Sequence, residues 1–310
     1  MEGSVYGILV ELLIFVLIGF AFSRFHILES DMSAKLSDLL LKMILPFSLI
    51  SSSQQEFSFE AIKGILLSIV LSLLYYFLTL VVLKLVLPLL FHSKEIPAAA
   101  YDLCAFANVG FLGFAVTPLI FGNSGTLFTI SHNFMFQLLF FTIGMELFEN
   151  SSHSIKDMLS PKSIFTNKII LVSILSMVLY ILPFRFPKVL TTSISAIGSM
   201  MTPLSLIIVG LQIGALKLGT AFLDRKVISL TLFRMILIPA VLFVVLLILP
   251  LDSKVKGVAF ILYSMPSGSL NAVIAERYQK DQVMASSVVA LTTILYFALL
   301  PLDIYLISFL

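Results

Sequence analysis

The chain is built around a succession of continuous apolar runs. Each is about 20 residues long, enough helix to cross the hydrocarbon core of a bilayer. One run, LLSIVLSLLYYFLTLVVLKLVLPLL over residues 66–90, carries a single charge, Lys84. The bilayer has no water to satisfy exposed backbone groups, so only helices and closed barrels span it. Barrel strands would read as segments of about 10 residues with alternating polarity. Unbroken runs of twice that length select helices. Composition agrees: 59% of the 310 residues are hydrophobic and 12% charged, against about 25% charged in soluble domains. The mean hydropathy is +1.11. A chain this apolar has too little polar surface to cover a water-soluble globule. The sequence therefore predicts an all-α membrane protein.

Ten spans are expected, at about 4–24, 33–53, 60–91, 97–121, 125–148, 165–184, 190–216, 222–250, 257–277 and 282–308. The longest polar connection, ENSSHSIKDMLSPKSIFTNK, runs from Glu149 to Lys168. It divides the chain into a first five-helix repeat (1–148), a linker loop (149–168) and a second five-helix repeat (169–310). The first span begins almost at Met1, with no basic stretch and no A-x-A site. It reads as a retained span rather than a cleaved signal.

Orientation follows from the Lys and Arg of the loops. One set carries Arg24, Lys94, Lys156, Lys162, Lys217, Arg225, Lys226, Arg277 and Lys280; the other carries Lys63, Arg185, Lys188, Lys254 and Lys256. The richer set is expected in the cytosol, with the 149–168 loop, and both termini outside, for a multi-pass protein of the cell membrane. The Asn150-Ser151-Ser152 sequon is then accidental.

Several classes are disfavoured. The net charge of +2 suggests no nucleic-acid partner. The single cysteine, Cys104, allows no intrachain disulfide and reads as a small buried apolar residue. There is no GxxxxGK[ST] loop, dinucleotide fingerprint or HExxH, so no cofactor and no metal is expected. An intramembrane protease would need paired aspartates or a Ser/His pair at depth. Ser131 and His132 are adjacent, and adjacent helical residues do not face each other. No enzyme is expected.

Five spans per half inverts the second half relative to the first, as in many transporters with midplane sites. MILPFSLI around Pro46 and MMTPLSLI around Pro203 lie in the second span of each half. The fourth spans of both halves are interrupted. The first contains AFANVGFLGFAVTPL, with Asn108, Gly110, Gly113 and Pro118; the second contains YSMPSGSLNAVIAERY, with Pro266, Gly268 and Asn271. An offset of 158 places Gly110 on Gly268 and Asn108 on Pro266. Proline removes a backbone donor and clashes with the preceding turn, and glycine costs about 1 kcal/mol of helix propensity. Clusters of both in mid-span predict unwinding, tolerated at depth only where it is enclosed by protein or lines a cavity. Such breaks expose half-helix N-termini, which attract anions. The bland alternative is close helix packing through small residues or a simple kink.

MPSGSLNAVIAERY (265–278), followed by SSVVALTTILYFALLPL (286–302), resembles the auxin efflux carrier family, and within it the bacterial organic-acid (malate) permeases. NVGFLG (108–113) is similar to the family's other signature. The resemblance implies ten helices in two inverted repeats, with helices 4 and 9 crossing at their breaks. It also implies a scaffold of helices 1, 2, 6 and 7, a moving part of helices 3–5 and 8–10, and export or exchange of small organic acid anions. Plant relatives form dimers, so a homodimer through the scaffold is expected. The chain departs from the family at Ala115, where proline is usual. Its first break is therefore expected to be softer, carried by Gly110 and Gly113.

Polar groups within the spans are the site candidates. Asn108 and Asn271 flank the breaks; each amide can donate and accept, which suits a carboxylate or helix capping. Gly110, Gly113, Pro266, Ser267 and Gly268 complete the expected substrate site. Secondary candidates are Asn133 and Gln137, four apart on one face, Arg234 and Asp102. Arg234 lies about 12 Å along its helix from the cytosolic end. It either snorkels there or serves as a counter-charge for substrate, Glu11 or Asp102. Asp102 either titrates or is paired, and His132 is a further titratable group at depth. Lys35, Asp38 and Lys42 form a stripe expected at the headgroups. Competing readings are a sodium-coupled symporter of the bile-acid transporter type, disfavoured because asparagines and serines rather than carboxylates surround the breaks, and a channel or sensor on the same fold.

Overall fold

A computed structural model of the chain describes residues 2–28, 32–91, 96–144, 168–182, 184–215 and 220–310. The regular elements among them are helical, apart from one isolated bridge between two extended segments. The expected linker loop at 149–168, with its sequon, lies outside the described residues except for Lys168. Five stretches are long and apolar enough to cross a membrane: Phe59–Phe91, Ser124–Gly144, Lys188–Gly214, Arg225–Ile248 and Gln282–Phe309.

In chain order the α-helices are α1 (Glu2–Arg24), α2 (Met32–Leu39), α3 (Leu45–Ser52), α4 (Phe59–Phe91), α5 (Ala98–Ala105), α6 (Phe114–Leu139) and α7 (Lys168–Ile181). They continue as α8 (Lys188–Gly198), α9 (Met201–Gly214), α10 (Arg225–Leu232), α11 (Ile238–Ile248), α12 (Ser253–Ser264), α13 (Ser269–Arg277) and α14 (Gln282–Leu306). Wide π-turns at Leu40–Ile44 and Phe233–Leu237 join α2 to α3 and α10 to α11. Their cause is local. Pro46 and Pro239 would each clash with the carbonyl four residues back, at Lys42 and Met235, and a wider turn there relieves the clash. Within α6, Gly122 at φ 66° breaks the helical path, so the chain reverses there, where the sequence places the connection between its fourth and fifth spans.

In lipid, helices gain nothing by hiding apolar surface from one another, so close approach and hydrogen bonds hold them together. α4 shows the resulting inversion of a soluble helix. Leu66, Val70, Leu73, Phe77, Val81 and Leu85 form an exposed stripe at helical spacing, while Ser68, Ser72, Tyr75 and Tyr76 are buried on the other side.

Two sets of helices pack among themselves. In the first, α1 lies along α9, and α3 contacts both α7 and α8. A Cβ added at Gly210 would sit 2.1 Å from the Val16 carbonyl oxygen, and one at Gly19 would sit 2.0 Å from that of Ile207. Gly210 and Gly214 form a G-x-x-x-G face that brings the backbones of α1 and α9 together. Ser176 Oγ donates to the Leu49 carbonyl at 2.5 Å, fixing α7 to α3. In the second set, α4 contacts α5, α6 and α12, α11 contacts α12, and α13 and α14 lie together. Lys42 pairs with Asp38 on an exposed face.

Gly210→Ala must push α1 from α9. It is expected to cost about 1–3 kcal/mol, read as a lower melting temperature in detergent. Gly7→Ala, whose Cβ meets nothing within 4 Å, serves as the control and leaves melting unchanged.

Candidate functional site

Two helices break and cross at the centre of the second set. α5 ends at Ala105, Phe106 is extended, and the chain turns at Asn108 (φ −77°, ψ 53°) into a π-turn at Val109–Gly113 that leads into α6. α12 ends at Ser264, and the chain passes through Met265–Gly268 before α13 begins at Ser269. The two extended segments pair antiparallel at Ala107 and Ser267. Asn108 N–H donates to the Pro266 carbonyl and Gly268 N–H to that of Phe106, each at 2.9 Å. These two bonds are images of each other under a local two-fold axis through the bridge.

That pairing corrects two expectations. The first break lies at Phe106–Asn108, not at Gly110 and Gly113, which belong to the π-turn after it. The local equivalence sets Phe106 against Pro266 and Asn108 against Gly268, an offset of 160 (266 − 106), where the sequence suggests 158. The pairing also explains Gly268. A Cβ there would lie 3.3 Å from the Ala107 carbonyl oxygen, a tight contact that the bridge would have to yield to by a few tenths of an ångström. Gly113 lies close to α12: a Cβ there would fall 2.9 Å from the tip of the Leu262 side chain.

The first half-helices, α5 and α12, meet with their C-termini together. Arg234, fully buried in its π-turn, points its guanidinium between them. It donates to the Cys104 carbonyl at 3.3 Å, to the Met265 carbonyl at 2.6 Å and to Tyr75 Oη at 2.8 Å. It neither snorkels to the interface nor pairs with a carboxylate, and both Asp102 oxygens lack a hydrogen-bond partner. Each helix C-terminus carries about half a negative charge, so two together balance one guanidinium. Tyr75 Oη also donates to the Ala105 carbonyl at 3.4 Å, and its ring stacks on Tyr263 at 3.7 Å.

The two asparagines do different things. Asn271, fully buried, donates from Nδ2 to the Asp102 carbonyl (3.2 Å), the Phe106 carbonyl (3.0 Å) and Ser267 Oγ (2.9 Å). Its amide donors are spent on holding α13 to the end of α5. Asn108 caps the π-turn by accepting from Phe111 N–H at 3.3 Å, which leaves its Nδ2 without a partner among the described residues. Asn133, on the α6 segment after Gly122, reaches toward this region: a Cβ on Gly110 would lie 3.7 Å from Asn133 Oδ1. Both Asn133 amide atoms, Gln137 Oε1 and Asn271 Oδ1 are buried without hydrogen-bond partners. Asp102 is buried with both carboxyl oxygens unpartnered, on the side facing Gly144. His132 Nδ1 lies 2.6 Å from Ser72 Oγ and 2.9 Å from Tyr263 Oη. Ser267 N–H is satisfied by Thr292 of α14 at 3.2 Å.

Two crevices approach the crossover. The larger, about 610 Å³, lies between α1, α3, α8–α9 and α6 and is lined by Glu11, Ser48, Ser51, Gln54 and Thr202; it reaches Phe114, just past the π-turn. The smaller, about 210 Å³, lies between α9, α13 and α14, with Gln212, Ser286 and Thr293, and reaches Ser269, the first residue of α13. Thr202 and Gln212 are ten residues apart on α9, about 15 Å along its axis. The crevices therefore open toward opposite ends of α9.

A helical chain of repeated membrane spans, with two broken helices crossed at its centre, is a polytopic membrane protein of the transporter class. Residues 4–306 match the model for membrane transport proteins, and the chain belongs to that family, the auxin efflux carriers. An uncharacterized transporter of Methanocaldococcus jannaschii is 26% identical over 293 residues, covering 91% of this chain and 92% of its own.

Sequence reading missed the role of Arg234 as a cap, though its proximity to Pro239 was visible. It also missed the Gly210–Gly214 face, which the G-x-x-x-G spacing would have found. Asn271→Ala removes the two N–H donors shared among three acceptors, and Asn108→Ala removes one accepted bond. At about 1 kcal/mol each, Asn271→Ala is expected to melt well below Asn108→Ala in the absence of any ligand. Equal melting of the two would show that Asn271 does not hold the crossover.

Proposed function

We propose that the protein is a secondary transporter of small organic anions, carboxylates in particular, working by alternating access at the crossover. The observation that carries this reading is the free Asn108 Nδ2 at the start of one second half-helix; one crevice reaches Phe114, past its π-turn, and another reaches Ser269, at the start of the other second half-helix. The N-termini of the π-turn leading to α6 and of α13 carry positive dipole ends, and the backbone at Gly110 is open. On this reading Asn108, Gly110, Gly113, Pro266, Ser267 and Gly268 form the substrate site. Asn271 holds its geometry, and Asn133 and Gln137 supply further hydrogen bonds.

The same reading takes the chain as ten transmembrane helices in two inverted five-helix repeats, 1–148 and 169–310. The packing of α1–α3 with α7–α9 supports a scaffold of helices 1, 2, 6 and 7. The packing of α4 and α5 with α10–α14 supports a moving part, which meets the scaffold through α6 against α3, α7 and α9. The loop charges support placement in the cell membrane with both termini outside, and the larger crevice then opens outward. A homodimer through the scaffold is carried over from the resemblance.

The test is the melting temperature of detergent-purified protein against a panel of organic acids at fixed sodium and pH. A ligand that binds the folded state alone raises it by mass action. A shift with carboxylates, lost in Asn108→Ala, is expected; no shift with any acid, or an undiminished shift in Asn108→Ala, overturns the reading. The buried acceptors Asn133 Oδ1, Gln137 Oε1 and Asn271 Oδ1 require donors, which a carboxylate lacks and a hydroxyl has. Malate is therefore expected to bind about tenfold more tightly than succinate, about the 1.4 kcal/mol of one hydrogen bond. Equal affinities would remove these acceptors from the site.

A further inference from the structure

We propose that the Arg234 guanidinium is a built-in replacement for an exchangeable coupling cation, so that this chain handles its substrate without sodium. In transporters with discontinuous helices, unwound carbonyls and half-helix C-terminal ends are the groups that coordinate sodium. Here those groups are already occupied. The carbonyls of Cys104, at the end of α5, and of Met265, at the end of α12, both accept from Arg234, and Tyr75 Oη completes the set. The cluster is fully enclosed: Arg234, Cys104 and Met265 are at 0% exposure. The charged groups of the neighbouring helices leave the balance intact. Asp102 on α5 makes no ion pair with Arg234, and the converging C-terminal dipoles supply about one negative charge in total. A second cation at these carbonyls would meet the guanidinium at contact distance.

The assignment deepens the transporter reading and rests on it for the word coupling. The site itself can be read with no anion present. The experiment measures melting of wild type, Arg234→Ala and Arg234→Lys in sodium, potassium and choline chloride at matched ionic strength, and in choline with about 10 mM guanidinium. Wild type and Arg234→Lys, each with a tethered cation, are expected to melt alike in all four. Arg234→Ala is expected to melt lower in choline and to recover by about 5 °C with sodium or guanidinium. A residue that merely filled space would show no cation-specific recovery.

A sodium-specific rise in wild type overturns the proposal, as does a folded Arg234→Ala indifferent to every cation. If Arg234→Ala folds in none of the four media, an Arg234→Lys that folds normally supports the tethered charge, and a lysine variant that also fails overturns it. A negative carboxylate panel would count against the anion substrate while leaving these outcomes readable.

Discussion

The structure depends on one constraint: backbone groups released by breaking two helices inside a bilayer must find partners within the protein. The break at Phe106–Asn108 and the break at Met265–Gly268 solve this for each other. Two bridge bonds pair their strands. Thr292 reaches in for Ser267 N–H, and Pro266 has no N–H to place. The carbonyls at the ends of α5 and α12 go to Arg234, Tyr75 and Asn271. From this follow the positions of α4, α10–α11 and α14, which must each bring one polar side chain to the centre.

The same arrangement sorts charge. Both first half-helices end at the crossover and both second half-helices begin there. The negative ends gather on Arg234, and the smaller crevice reaches Ser269, at the positive end of α13. The local two-fold relates backbone but not side chains: Asn108 stands opposite Gly268, and proline occurs on one strand, at 266, with Phe106 as its counterpart. That asymmetry leaves Asn108 with a free donor while the donors of Asn271 are consumed.

The broad plan was legible because lipid writes it directly into composition and run length. Apolar runs of bilayer length gave the helices, and Pro and Gly clusters at Asn108–Gly113 and Pro266–Gly268 located the breaks to within a few residues. Legibility failed where tertiary partners decide. Gly110 and Gly113 looked like the first break, but the strand that pairs is Phe106–Asn108, whose residues carry no breaking signal of their own; they unwind because Pro266 and Gly268 offer bridge partners. For Arg234 snorkelling and a counter-charge role both stayed open, because distance along a helix says nothing of which carbonyls converge across the bundle. Asn108 and Asn271 looked equivalent because the amide is the same, and the difference lies entirely in what each one faces.

Hydrogen bonds are organised differently inside each helix set and at the boundary between them. Within the second set they form networks: Arg234 reaches Met265, Tyr75 and Cys104, and Asn271 reaches Ser267, Phe106 and Asp102. Between α9 and the crossover helices they are single contacts: Ser269 Oγ to Gln212 Oε1 at 3.4 Å, and Thr202 Oγ1 to the Ala115 carbonyl at 3.3 Å. Both crevices open along this same boundary. A structure that must move should keep its expensive, desolvated contacts inside rigid bodies and leave weak, replaceable ones at the sliding surface. The crossover, with its buried guanidinium and bridge, cannot open without orphaning backbone groups in a dry core. On the proposed reading it therefore travels intact, and the boundary against α9 is where motion costs least.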